Sequence, residues 1–83
     1  MDFDRSLGNM AAAWRISAGL TQQTLGAAVG LDQATISRIE SGDRKVDVDL
    51  LLQILAATGQ SLPDVASDIQ ELAPARPSLW KEQ

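Results

Sequence analysis

The chain contains no cysteine and no histidine. Disulfide bonds, thiol nucleophiles, imidazole acid–base chemistry and the usual zinc ligand sets are thereby excluded, so no catalysis, metal or cofactor is expected. No apolar run approaches the ~18 residues that mark a membrane span, and no membrane partner is expected. The start, Met1-Asp2-Phe3-Asp4, is acidic and lacks the basic-then-apolar layout of a signal peptide, which predicts a cytoplasmic location. No internal repeat or low-complexity block is present, and 83 residues suit one small domain.

Positive charge is also scarce, with seven basic residues against eleven acidic ones and a net charge of −4. The imbalance is uneven along the chain. Up to Lys45 the five basic residues Arg5, Arg15, Arg38, Arg44 and Lys45 balance five acids, whereas six acids face only Arg76 and Lys81 from Val46 onward. The excess negative charge of the second half either attracts a basic protein partner or serves solubility alone.

What is present is helical periodicity. Leu7, Met10, Ala11, Trp14 and Ala18 form the apolar stripe of a first helix, capped by Ser6 and ended at Gly19, with Trp14 in the core. Thr21 caps a short second helix carrying Leu25, Ala28 and Val29, and Gly30 supplies the backbone freedom that stops it. Asp32 caps a third helix in which Ile36 and Ile39 point inward while Gln33, Ala34, Ser37 and Arg38 share the outward face. Two short helices joined by a tight turn are the arrangement that places a helix in the DNA major groove.

After a polar loop containing Arg44 and Lys45, Asp47 or Asp49 caps a fourth helix that is apolar almost all round. Leu51, Leu52 and Leu55 suffice for one buried stripe, which leaves Leu50, Ile54 and Ala57 as a second face. A homodimer interface is expected there; the alternative is that helices 1 and 5 cover both faces. Ser61 caps a fifth helix with Leu62, Val65, Ala66, Ile69 and Leu72 at helical spacing and Pro63 in its first turn. Residues 73–83, with two prolines and no periodicity, are expected to form an extended tail behind a 1–72 domain.

The segment from Thr21 to Gly42 resembles the helix-turn-helix of the Cro/cI-like (XRE) repressor family. The resemblance spans roughly Leu7 to Leu62 and rests on Gln22, the small Gly26 and Ala27 beneath the helix crossing with Ala27 as the central small residue, Gly30-Leu31 at the turn, the polar face from Gln33 to Arg38, and Glu40-Ser41-Gly42. It implies an all-α, five-helix lambda-repressor-like domain, acting as a two-fold dimer on a pseudo-palindromic double-stranded DNA operator. In that family the second motif helix enters the major groove. By resemblance, Gln22 holds a phosphate and braces Gln33. Gln33 suits adenine, Ala34 a thymine methyl, Ser37 a base edge or phosphate, and Arg38 guanine or the backbone. Arg44 and Lys45 hold phosphate, and Thr35 either does the same at the flank of the groove or is a solvated hydroxyl. Arg15 and Glu40 match positions that the family pairs in a salt bridge, the alternative for Arg15 being a DNA contact.

A narrower resemblance links Gln33-Ala34-Thr35-Ile36-Ser37 and the tail tipped by Leu79-Trp80 to HipB-type antitoxins, which repress their own operon and hold a HipA-like kinase toxin. It implies that Leu79 and Trp80 dock into such a toxin, unless Trp80 folds back on the helices. The antitoxins follow the helical core with a strand, whereas Ser61 to Asp68 reads as helix here. A stand-alone phage or chromosomal repressor and a protein-interaction module are the alternative readings.

Overall fold

The computed structural model describes residues 2–73 and consists there of five helices: α1 (Phe3–Ser17), α2 (Gln22–Val29), α3 (Gln33–Ser41), α4 (Val48–Ala57) and α5 (Leu62–Leu72). The expected all-α, five-helix architecture is present, and no strand occurs among the described residues. The expected tail from Pro74 onward, including Leu79 and Trp80, lies outside them.

Side-chain caps account for most of the helix starts. Thr21, Asp32 and Asp47 each accept a hydrogen bond from the amide three residues ahead, at 3.0, 2.8 and 2.8 Å, satisfying a donor that the helix itself cannot. α1 begins earlier than its sequence signal. Its cap is Asp2, which accepts from the Asp4 amide at 3.0 Å, and Ser6 lies within the helix. The added turn lets Phe3 pack against the core. Ser61 occupies the cap position of α5 but makes no side-chain capping bond, and Pro63 is accommodated near the start.

The core joins Leu7, Ala11 and Trp14 of α1, Leu25 and Val29 of α2, Ile36 and Ile39 of α3, Ile54 and Leu55 of α4 and Val65 of α5. Trp14 is therefore a core residue, as its stripe predicts. α3 is held between α1 and α2, while α4 packs on α2 and α5 on α1. Two glycines permit the close approaches that fix α3. A Cβ at Gly8 would overlap the carbonyl oxygens of Ile39 and Glu40, and one at Gly26 would overlap that of Leu31. The small-residue position of the motif thus belongs to Gly26, not to Ala27, which is exposed.

α4 is rotated relative to the sequence expectation. Its inward line is Leu51, Ile54, Leu55 and Thr58, the last a buried hydroxyl that donates to the Ile54 carbonyl at 2.8 Å. Ile54 is only 1% exposed and belongs to the protomer's core, so it cannot serve the dimer face assigned to it with Leu50 and Ala57. Leu50 and Ala57 are half-buried. The outward apolar side chains are instead Val48, at 70% exposure, and Leu52, at 45%, one turn apart. No helix among the described residues is long and apolar enough to cross a membrane.

Candidate nucleic-acid interface

α3 presents Gln33, Ala34, Ser37 and Arg38 together on its exposed side, opposite the buried Thr35, Ile36 and Ile39. The proposed readers are therefore accessible on one face of one helix. Thr35 is not among them. At 8% exposure it is buried against the fold, and its hydroxyl accepts a long hydrogen bond of 3.4 Å from Arg38 Nη2. The same helical turn that buries Ile36 and Ile39 carries Thr35 inward, so a solvated hydroxyl does not describe it.

The helix start is shaped by Asp32. Hydrogen bonds from Thr35, side chain first and then backbone, lower the Asp32 pKa below the usual carboxylate value. A carboxylate there also complements the positive end of the helix dipole.

Behind the exposed face runs a continuous hydrogen-bonded chain. Arg15 of α1 donates through Nε to Glu40 Oε2 at 2.7 Å and through Nη2 to Oε1 at 3.1 Å, while its Nη1 holds the Leu20 carbonyl at 3.0 Å. Gln22 Nε2 donates to Glu40 Oε1 at 2.9 Å, and Gln22 Oε1 accepts from Gln33 Nε2 at 2.7 Å. Arg15 and Glu40 thus form the salt bridge, with side chains only 14% and 9% exposed. The Glu40 hydrogen bond raises the Arg15 pKa, against a weaker lowering by burial. Arg15 belongs to the scaffold. The link from Gln22 to Glu40, spanning 18 residues, carried no signal in the sequence pattern.

The loop after α3 is tied to its end. The amides of Asp43 and Arg44 both donate to the Arg38 carbonyl, at 2.8 and 3.2 Å, and Ser41 Oγ contacts Asp43 Oδ2 at 3.2 Å. The Arg44 amide is therefore engaged within the loop, which leaves its exposed side chain as the cationic group. Lys45 Nζ pairs with Asp4 Oδ2 at 2.8 Å, an exposed contact that raises the lysine pKa. This partner, 41 residues away, was also absent from the sequence reading.

A model of the helix-turn-helix family matches residues 12–65, which include α2, α3 and the buried Gly26. The chain belongs to the XRE-type helix-turn-helix family. These proteins are DNA-binding transcriptional regulators. Among solved structures, the chain is similar to the clp gene regulator ClgR from Corynebacterium glutamicum, with 25% identity and a TM-score of 0.75 over 87% of this chain and 92% of that one. It is also similar to the restriction-modification controller protein C.AhdI from Aeromonas hydrophila, with 26% identity and a TM-score of 0.66 over 83% of this chain and 90% of that one. No curated protein matches the sequence significantly.

Proposed function

We propose that this XRE-type protein binds a pseudo-palindromic operator as a homodimer in the cytoplasm and represses transcription by occluding a promoter. The observation that carries the reading is the joint exposure of Gln33, Ala34, Ser37 and Arg38 on a helix whose opposite side is locked into the core. Gln33 offers paired hydrogen bonds to adenine, Ala34 a surface for a thymine methyl, and Ser37 and Arg38 further base or phosphate contacts. Gln22, Arg44 and Lys45 position the protein on the backbone. Lys45 exchanges its exposed Asp4 partner for a phosphate.

One protomer presents few base contacts, and a two-fold dimer doubles them on two half-sites about 34 Å apart. Val48 and Leu52 supply an outward apolar surface for that dimer, in place of Ile54. The acidic helices after Val46 then lie away from the DNA, which removes the conflict between net charge and function.

The antitoxin reading, in which Leu79 and Trp80 dock into a HipA-like kinase, rests on residues outside those described. The stand-alone repressor is favoured by the structural neighbours, which are a gene regulator and a controller protein. Selection of bound duplexes from a random-sequence pool tests the proposal. Enrichment of two inverted half-sites about 10 base pairs apart is expected; recovery of unenriched DNA contradicts it.

A further inference from the structure

The chain from Arg15 through Glu40 and Gln22 to Gln33 has a fixed direction, and the direction follows from chemistry. A carboxylate only accepts hydrogen bonds. Glu40 Oε1 lies 2.9 Å from the Gln22 amide, so Gln22 must turn its nitrogen toward Glu40; the reversed amide would set oxygen against oxygen. The Gln22 oxygen then faces Gln33, at 2.7 Å, and Gln33 must present its own nitrogen in return. One charged group therefore sets the orientation of two neutral amides. Arg15 holds that group in place with two hydrogen bonds.

After donating to Gln22, the exposed Gln33 amide retains its oxygen and a second N–H in a defined order. Adenine presents a donor at N6 and an acceptor at N7, which complement that order. Guanine presents acceptors at both O6 and N7, so the Gln33 oxygen would oppose O6. An amide free to rotate would lose part of this discrimination.

We propose that Glu40 is a positioning residue for base readout, whose carboxylate acts through Gln22 to orient the Gln33 amide and so favours adenine over guanine at one position of each half-site. The inference rests on the DNA-reading function proposed above and adds to it a specificity role for a residue that touches no base.

The test selects bound duplexes from a random pool with the full chain and with Gln33→Ala, Glu40→Gln and Gln22→Leu variants, all at one salt concentration. Gln33→Ala identifies the relevant position as the one whose adenine preference disappears. At that position the adenine-to-guanine ratio is expected to fall about tenfold in both other variants, with preferences elsewhere in the half-site unchanged. Gln22→Leu leaves the Arg15–Glu40 bridge intact, so the test stands even where Glu40→Gln folds poorly. Retention of the adenine preference by Gln22→Leu, or an equal weakening on all sequences, overturns the proposal. A Gln33-dependent position that is not adenine overturns it as well. Failure of the unaltered protein to enrich any sequence instead removes the DNA-reading function itself.

Discussion

Arg15 and Glu40, 25 residues apart in the chain, meet through two hydrogen bonds of 2.7 and 3.1 Å and bind the end of α3 to α1. Each side chain is largely removed from water, so the pair is stable only as a pair. Glu40→Ala strands the Arg15 guanidinium with the Leu20 carbonyl and is expected to cost about 3 kcal/mol. Combined with Arg15→Met, the loss should be smaller than the sum of the single losses. A double-mutant cycle by denaturant unfolding checks this, and additive losses would count against the coupling.

Gly8 sets the spacing between the same two helices. Gly8→Ala places a methyl group on the carbonyls of Ile39 and Glu40 and is expected to destabilise the fold by about 1–3 kcal/mol despite the better helix propensity of alanine. Asn9→Ala, at the neighbouring exposed position, should stay within about 0.5 kcal/mol of the parent. Unfolding midpoints of the two variants decide the point.

Much of the domain was legible because its signals are local. Thr21, Asp32 and Asp47 cap helices through the amide three residues on, and Gly30 ends α2 with φ 77°, so a short window of sequence contains both cause and effect. The exposed face of α3 followed from the same spacing that buries Ile36 and Ile39. α4 was different. Leu50, Leu51, Leu52, Ile54 and Leu55 surround it with apolar side chains, so periodicity defines no unique inward face. Tertiary packing decides instead, burying Ile54 and leaving Leu52 outside. The partners of Lys45 and Glu40 were illegible for a related reason: Asp4 and Gln22 are brought to them only by the tertiary fold.

The lowered Asp32 pKa gives the start of α3 a pH dependence with a definite sign. A carboxyl held below its unfolded value stabilises the fold above that value, about 3.9 for aspartate, and the contribution is lost as the pH falls through the folded value. Asp32→Asn keeps a cap but removes the titration. The stability difference between parent and variant is therefore expected to shrink on acidification below about pH 4, as measured by thermal unfolding across a pH series. A difference independent of pH would contradict the assignment.

Outward Val48 and Leu52 predict where a second copy sits. Leu52→Glu should leave the protomer folded, since its side chain is exposed, while shifting sedimentation from dimer to monomer and weakening operator binding. The same charge at Ile54, by contrast, should unfold the protomer, because that side chain is 1% exposed. An unchanged dimer in Leu52→Glu would place the interface elsewhere.

In the proposed function the exposed face of α3 reads DNA. Its most direct test is the affinity of the Gln33→Ala, Arg38→Ala double variant for the selected operator, measured beside the parent over a range of salt concentrations. The parent is expected to bind with strong salt dependence. The variant should lose about 2–6 kcal/mol of sequence-specific affinity while remaining folded, because two base contacts have been removed from an exposed surface. Full operator binding by the folded double variant would contradict the account.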